Sequence, residues 1–388
     1  MGNTSLGIST NQVLTTLLER ANRIVIKIGS ALVFDPQAGQ ANALWMTALG
    51  NDIAMLRSKG KQIILVSSGA IALGRERLKL GQGSIRLEQK QAAAATGQVE
   101  LAQKWQSALG AYDIQTAQIL LAPEDTETRR RHINARATTT TLLELGVVPV
   151  VNENDTITTY EIRFGDNDRL GAALAGLIRA DRFVMLTDQD GIFTDDPSKN
   201  IEAKLLDLIN LDDEDIDLSQ QLNSTSGLLG RGGMKTKIEA AKISLNSGAD
   251  TWVVSGFADN TLLKIFNGEE VGTQITTKKS TLSSRKLWIS SFGAVSGTIK
   301  LDDGAIEALL RKGKSLLSVG ITDVVGDFNK GDLVRCTDKR GNEIATGLIN
   351  FNNEEVHAIK GLNSEEIFST LGYLAQAEVI HRNNLVLS

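Results

Sequence analysis

Glycines, some with lysines beside them, stand at three points where apolar stretches of this sequence give way to polar residues. The three stretches are Lys27–Ser30, Ser67–Ala70 and Gly230–Lys237, and the first and third contain lysines. Glycine lets backbone amides approach an anion closely, and a helix that begins at such a loop adds a favourable dipole. None of the three matches the Walker or the Rossmann glycine pattern. A single loop of this kind also suits a plain turn from a strand into a helix, but three in one domain predict phosphate binding outside the common nucleotide-binding folds.

Lys27 is the most informative of these residues because it interrupts the apolar run Ile24–Ile28. A charged group that is buried without a partner is costly, so we expect a counter-ion or a ligand beside it. A structural salt bridge is one interpretation. The interpretation that we favour is a lysine that contacts phosphate, since ligands of open α/β sheets collect at the carboxyl ends of the strands.

Carboxylates and amides cluster in two further loops. Val147–Asp155 is a hydrophobic strand that ends in Asn-Glu-Asn-Asp, and Gly165–Asp168 supplies Gly-Asp-Asn-Asp. Each loop alone also suits a structural role, as a solvated turn or as a helix N-cap formed by Asp166 or Asp168. Together they supply carboxylates for an ammonium group and amides for a carboxylate, which an amino-acid substrate requires. A third strand end, Thr187–Asp188, is predicted to face a nucleotide.

Alternating strands and helices must position these loops. Most of the apolar runs between residues 23 and 256 are continuous in Val, Ile and Leu, as in strands that are buried on both faces. Their order predicts an α/β fold, a layered αβα domain with a mostly parallel central sheet. The predicted strands are Arg23–Ile28, Gln62–Ser67, Gln115–Leu121, Val147–Val151, Phe183–Thr187 and Thr251–Ser255, and the predicted helices are Leu44–Ser58, Glu88–Ala108, Arg129–Leu145, Arg169–Ile178 and Lys235–Asn246.

A second, smaller domain is predicted at the C-terminal end. Short strand-like stretches separated by Gly and Asp begin after Thr276, and only one or two short helices fit, around Ala305–Arg311 and Ser364–Leu371. This composition is typical of a small β-rich domain. We therefore predict an N-terminal extension over residues 1–22, a main domain over 23–275, a linker over 276–283 and a β-rich domain over 284–388.

Composition excludes several classes of protein. The chain has 388 residues, one cysteine and a net charge of −5, so no disulfide framework and no general attraction to nucleic acid are expected. The polar N-terminus lacks a signal core, and no apolar run approaches the roughly 18 residues that span a bilayer. Three scattered histidines and the acidic segment Asp212–Asp217 do not predict a metal site in the protein. We expect a soluble cytoplasmic protein.

The motifs together identify a known family. The first 270 or so residues resemble the amino-acid kinase superfamily, and specifically its glutamate 5-kinases, while roughly Ser284 to Tyr373 resembles the PUA domain that many bacterial members carry. The pair Asn152–Asp155 and Gly165–Asp168 is the discriminating feature. The other matching motifs are Lys27–Ser30, Ser67–Ile71, Val150–Val151, Thr187–Gln189 and Gly232–Lys237.

The resemblance implies a reaction in which ATP and L-glutamate give L-glutamyl 5-phosphate and ADP, the first step of proline synthesis. It also implies Mg²⁺, inhibition by proline and a homo-oligomer, dimer or tetramer. Many members have threonine where this chain has Arg231. A backbone contact to the nucleotide is compatible with that change, whereas a hydroxyl contact is not, and the arginine either adds a cation near the phosphates or points into solvent. By this resemblance Ser68, Asp155 and Asn167 contact glutamate, Asp168 organises the catalytic lysines Lys27 and Lys237, and the ATP contacts are Lys27, Thr187, Asp188, Arg231, Gly232, Gly233, Met234, Lys235, Thr236 and Lys237.

The sequence leaves several alternatives open. PUA domains commonly bind RNA, but residues 280–388 carry 12 Lys and Arg against 13 Asp and Glu, without the basic footprint of an RNA binder. A regulatory or assembly role for this domain is the hypothesis that we prefer. A kinase of the same fold that acts on acetylglutamate or aspartate is a further alternative. The polar stretch Asp212–Ser226 is either a lid or a passive surface loop.

Overall fold

The computed structural model describes residues 22–81, 83–122, 125–126, 129–157, 167–212, 233–277, 295–373 and 377–388. The chain divides into two compact units, the first built on residues up to 281 and the second on residues 282–388 together with 128–133. Among the described residues, no helix has both the length and the apolar character needed to cross a membrane.

The first unit is built around an eight-stranded sheet with the strand order β5-β6-β4-β1-β7-β9-β10-β8. The first six strands in this order, β5, β6, β4, β1, β7 and β9, run parallel to one another. The strand β10 pairs antiparallel with β9 and parallel with β8. The strands of this unit, including a separate two-stranded ribbon of β2 and β3, are β1 (Arg23–Ile28), β2 (Phe34–Asp35), β3 (Gln40–Ala41), β4 (Gln62–Ser67), β5 (Thr116–Leu121), β6 (Val148–Glu153), β7 (Arg182–Thr187), β8 (Leu208–Asn210), β9 (Asp250–Ser255) and β10 (Thr273–Thr276).

Helices cover both faces of this sheet, and the alternation along β1 decides where Lys27 lies. Ile24, Ile26 and Ile28 join one buried cluster, whereas Val25 joins the cluster on the opposite face. Because successive side chains of a strand point to opposite faces, Lys27 lies on the same face as Val25. The helices are α1 (Ser30–Val33), α2 (Ala43–Ser58), α3 (Ala70–Arg77), α4 (Leu87–Gly110), α5 (Arg129–Glu144), α6 (Asn167–Ile178), α7 (Gly233–Asn246) and α8 (Thr261–Phe266).

The second unit has a five-stranded sheet with the order β13-β11-β14-β15-β17 and a two-stranded ribbon of β12 and β16. Its core includes the fully buried Phe328 and Phe351 and the thiol of Cys336. Its strands and helices are β11 (Gly297–Leu301), α9 (Asp303–Lys312), β12 (Leu316–Leu317), β13 (Ile321–Gly326), β14 (Leu333–Thr337), β15 (Glu343–Leu348), α10 (Asn353–Ile359), α11 (Glu366–Leu371), β16 (Glu378–Ile380) and β17 (Leu385–Leu387).

The six predicted strands and five predicted helices of the first unit are confirmed to within two residues at each end. The expectation of one or two helices in the second unit was wrong, because there are three among its described residues. The additional helix, α10, begins with a capping box in which the Asn352 and Glu355 side chains accept from each other's backbone N–H groups. This Asn-x-x-Glu signal was legible in the sequence. The last two strands at one end of the sheet, β10 and the edge strand β8, were also missed because each is very short.

Candidate active site

The polar loops of the first unit meet at one edge of its sheet because the strands that precede them are parallel neighbours. In the register of the sheet, Ile28 at the end of β1 lies beside Ser67 at the end of β4 and beside Leu186 in β7. The chain stays paired past the strand, since the Gly29 N–H donates to the Leu186 carbonyl at 3.1 Å. The carboxyl edge therefore gathers loops that are far apart in the sequence.

One carboxylate joins two lysines at this edge. Asp168 lies in the first turn of α6, and its side chain is fully buried. Its Oδ1 lies 2.6 Å from Lys27 Nζ, and its Oδ2 lies 3.0 Å from Lys237 Nζ on α7. The Thr236 hydroxyl lies at the limit of hydrogen bonding, 3.5 Å from Oδ2. Lys27 therefore has the counter-ion that a charged residue in an apolar run requires, and a second lysine contacts the same carboxylate.

The charge balance of this cluster is one carboxylate against two ammonium groups. Burial raises the pKa of Asp168, but the Coulomb attraction and hydrogen bonds of Lys27 and Lys237 outweigh burial, so its pKa lies below the ordinary value of 3.8. Asp168 is therefore ionised at neutral pH. Among these three side chains two ammonium groups contact one carboxylate, and this excess of cationic groups favours an anion beside them.

A cavity of about 770 Å³ lies beside this cluster and is lined by the residues predicted to contact the acceptor, Ser68, Asp155 and Asn167. The Asn167 Nδ2 donates to Ser68 Oγ at 2.8 Å, which joins the start of α6 to the loop after β4. Asn167 lines the cavity and the next residue, Asp168, belongs to the lysine cluster. The first turn of α6 therefore places the cavity and the cluster next to each other.

Behind the cavity lies a buried chain of amide groups. The Asn167 Nδ2 also donates to Asn152 Oδ1 at 2.8 Å, and the Asn152 Nδ2 donates to Gln98 Oε1 at 2.9 Å. Gln98 lies on α4 and is 8% exposed. The backbone N–H of Glu153 donates to Asn152 Oδ1 at 2.9 Å. These bonds give the cavity wall a definite arrangement of donors and acceptors.

Glycines permit two close approaches that shape the site. Gly69 has a φ of +111°, and a Cβ there would lie 2.9 Å from Val33 Cγ1. This left-handed conformation turns the chain from β4 into α3 and is accessible chiefly to glycine. Gly171 lies one turn after Asp168, and a Cβ there would lie 2.7 Å from the Phe183 ring. Its missing side chain lets α6 approach the sheet closely enough for Asp168 to reach Lys27.

The remaining predicted residues lie at the same edge or outside the described part of the chain. Thr187 is buried at the end of β7, and its hydroxyl donates to Asp188 Oδ1 at 3.0 Å. In the first turn of α7, Met234 packs against the core and Lys235 is exposed. Gly233 begins α7. Arg231, Gly232, Gly165, Asp166 and residues 213–226 of the predicted lid lie outside the described residues.

Gln98 was not among the residues predicted to form the site. A signal for it existed, because Ala94, Leu101 and Trp105 follow the helical spacing of a buried face, and Gln98 falls on the same face. A glutamine at a core position of an amphipathic helix needs a hydrogen-bond partner. The sequence does not indicate which partner, since the partner, Asn152, is 54 residues away.

Known proteins match this chain over both units. The model of the amino acid kinase family matches residues 22–255, and the model of the PUA domain matches residues 297–370. A glutamate 5-kinase of Nitrosospira multiformis is 45% identical over 375 residues, which are 96% of this chain and 99% of the relative. A glutamate 5-kinase of Hahella chejuensis is 43% identical over 373 residues, which are 95% of each chain. The chain therefore belongs to the amino acid kinase family, within its glutamate 5-kinase group, and carries a C-terminal PUA domain.

Proposed function

We propose that this protein transfers the γ-phosphoryl group of ATP to the side-chain carboxylate of L-glutamate, giving L-glutamyl 5-phosphate and ADP. The observation that carries the proposal is the Lys27–Asp168–Lys237 cluster, placed directly beside a cavity lined by Ser68, Asp155 and Asn167. The cluster suits an anionic phosphoryl group, and the cavity suits a small zwitterionic acid. The names of the relatives point to the same acceptor.

In this reaction a carboxylate oxygen forms a bond to the γ-phosphorus while the bond from that phosphorus to the β,γ-bridging oxygen breaks. The attacking carboxylate is already an anion, so no general base is required. The protein has to bring two anions together and stabilise the charge on the transferring group. Lys27 and Lys237 are proposed to flank that group. Asp168 holds both ammonium groups in position and leaves them with a net positive charge.

The acceptor is proposed to bind with its ammonium group toward Asp155. Ser68 and Asn167 are proposed to supply further polar contacts to the amino acid. Acetylglutamate has no free ammonium group, so Asp155 would have no cationic partner there. Aspartate retains the ammonium group, but its side chain is one methylene shorter, which places its distal carboxylate farther from the lysines. Glutamate therefore fits the charges of the site best.

The nucleotide is proposed to contact Thr187 and Asp188, which follow one another at the end of β7, and the segment from Arg231 to Lys237. Of that segment, Lys237 belongs to the described lysine cluster. Among the described residues, no group of three His, Cys, Asp or Glu side chains is arranged to hold a metal ion. A Mg²⁺ ion is therefore expected to take most of its ligands from the phosphates and water, as is usual for this ion, and to neutralise phosphate charge.

The test is ATP- and Mg²⁺-dependent formation of glutamyl phosphate, trapped with hydroxylamine as the hydroxamate. Glutamate, aspartate and N-acetylglutamate are compared side by side, with and without proline. Turnover on glutamate with little on the other two supports the proposal. Turnover on N-acetylglutamate, or none on any acceptor by folded protein that binds ATP, contradicts it.

We further propose that the protein acts in proline biosynthesis, is inhibited by proline, is located in the cytoplasm and forms a homo-oligomer. We also propose a kinase domain over residues 23–275 and a PUA domain over 284–388.

For the PUA domain we propose a regulatory or assembly role rather than RNA binding, because its net charge is slightly negative. A chain that ends at Lys279 tests this role. Proline inhibition and oligomer size that both match those of the full chain would refute it.

A further inference from the structure

We infer that Gln98 is a positioning residue that acts through Asn152 to fix the orientation of the Asn167 amide, so that its oxygen faces the acceptor. This orientation selects an acceptor with a free ammonium group. The inference rests on the proposed function, in which Asn167 contacts glutamate. Gln98 itself does not line the cavity; it lies on α4, behind the wall that Asn152 and Asn167 form.

The orientation of Asn152 follows from a donor whose identity is unambiguous. The backbone N–H of Glu153 donates to one end of the Asn152 amide at 2.9 Å, and only the oxygen of that amide accepts. The nitrogen end is thereby directed at Gln98, whose Oε1 accepts at 2.9 Å. The two ends of Asn152 are thus held by a backbone donor and by a buried side-chain acceptor.

The orientation of Asn167 follows from that of Asn152. The Asn152 oxygen, which already accepts from the backbone, also accepts from Asn167 at 2.8 Å, so the nitrogen of Asn167 points into the protein. The same nitrogen donates to Ser68 Oγ at 2.8 Å, which uses both of its protons. Among the described residues none donates to the Asn167 oxygen. That oxygen is left to accept an N–H from the ligand, whereas Ser68 keeps its own proton to donate to a carboxylate.

Gln98 is held in place by a close approach of two helices. A Cβ at Gly97 would lie 1.9 Å from the Ala70 carbonyl oxygen of α3. The backbones of α3 and α4 therefore lie very close together at Gly97. This close packing brings the buried face of α4, and Gln98 with it, to the loop that carries Ser68. The Gln98 nitrogen, Nε2, is buried and makes no hydrogen bond within the described part of the chain. Only the oxygen of Gln98 is used, so the residue serves as an acceptor for Asn152.

The test compares the binding of glutamate and of glutarate, which is glutamate without its ammonium group, to the full-length chain by titration calorimetry. The variant Gln98→Met keeps the length of the side chain and removes the acceptor. Gln98→Glu keeps an oxygen toward Asn152 and replaces the unpaired nitrogen, so it is the matched conservative variant. Because a hydrogen bond to the charged ammonium group is weakened, we expect the preference for glutamate over glutarate to fall about tenfold in Gln98→Met. In Gln98→Glu the preference is expected to stay within about threefold of the wild type.

The outcomes separate this inference from the proposed function. Wild-type protein that binds no glutamate refutes the function itself, whereas wild-type protein that binds glutamate and glutarate equally refutes selection for the ammonium group. An unchanged glutamate-to-glutarate ratio in Gln98→Met, even with weaker binding of both, would show a purely structural role and overturn the inference. Equal loss of the ratio in the Met and Glu variants would overturn it as well. Gln98→Ala allows the same comparison where the Met variant does not fold.

Discussion

Lys27 and Lys237 contact opposite oxygens of a single buried carboxylate, although they lie 210 residues apart in the sequence and on different elements of the fold. The Lys27 Nζ is 2.6 Å from Asp168 Oδ1, and the Lys237 Nζ is 3.0 Å from Asp168 Oδ2. Two ammonium groups held by one carboxylate repel each other less than an unbridged pair and keep a net positive charge. An anionic phosphoryl group is the natural third partner of such a pair.

Removal of Lys27 should mainly slow the chemical step. Lys27→Ala is expected to lower kcat by about 100- to 1000-fold with a modest change in KM, because a preorganised donor to the transferring group is lost. Steady-state kinetics with the hydroxamate assay measure this. Lys300→Ala is the matched control, since Lys300 pairs with Asp323 at 2.9 Å on the exposed surface of the second unit. Near wild-type turnover by Lys27→Ala would refute the assignment.

Asp168→Asn should cost both activity and folding stability. The substitution leaves two lysines without their counter-ion in a buried site, and such a change typically costs about 3–5 kcal/mol. The pKa of Asp168 is lowered in the folded protein. The ionised carboxylate therefore stabilises the fold at pH values above its pKa in the unfolded chain, which is near 3.8. That stabilisation is lost as the pH falls through the lower pKa that Asp168 has in the folded protein.

The measurement is the free energy of unfolding of wild type and Asp168→Asn at several pH values between 7 and 3. The difference between the two proteins is expected to be constant near neutrality and to shrink below about pH 4. Asp323→Asn serves as the control, because that carboxylate also has a lowered pKa but is exposed. A difference that grows as the pH falls would contradict the assigned charge state.

Asp155 should act on the acceptor alone. Asp155→Asn is expected to raise the KM for glutamate by about tenfold or more, since a charged hydrogen bond to the ammonium group is replaced by a neutral one. The KM for ATP should stay within about twofold of the wild-type value, because Asp155 lines the acceptor cavity rather than the lysine cluster. A change confined to the KM for ATP would show that Asp155 belongs to the nucleotide site, and would refute its assignment to the acceptor.

Gly97→Ala should force α3 and α4 apart. A Cβ at Gly97 would lie 1.9 Å from the Ala70 carbonyl oxygen and 2.5 Å from the Gly74 nitrogen, and neither backbone atom moves easily. We expect a loss of about 1–3 kcal/mol or more in stability, seen as a lower Tm. Gly110→Ala at the end of the same helix is the control, because its Cβ would meet only a flexible side-chain atom at 3.7 Å. Equal Tm values for the two variants would refute the close contact.

Cys336 should be unreactive in the folded protein. Burial, with a smaller contribution from the charge of Glu343, raises the pKa of Cys336 to about 12, so the nucleophilic thiolate is scarce at pH 8. Because this is the only cysteine, a thiol reagent reports on it alone. We expect no labelling in native buffer and complete labelling in denaturant. Rapid labelling of the native protein would show that the core of the second unit opens readily.

Local pattern alone determined six strands and five helices of the first unit and the family to which the chain belongs. Continuous apolar runs such as Ile24–Ile28 are strands because only burial on both faces suits them, and Lys27 within such a run required a partner. The motifs Asn152–Asp155 and Gly165–Asp168 carried the resemblance to the amino-acid kinase family. These properties depend on residue type and short spacing, which a sequence contains in full.

Tertiary structure decided which residues meet. The partner of Lys27, the amide chain from Gln98 to Ser68 and the contact of Gly97 with Ala70 all join segments that are distant in the sequence. Their distances depend on strand order and on how closely helices pack, and neither is encoded in the spacing along the chain. For the same reason the short strands β8 and β10 were not predicted, since their sheet partners, rather than their own few residues, make them strands.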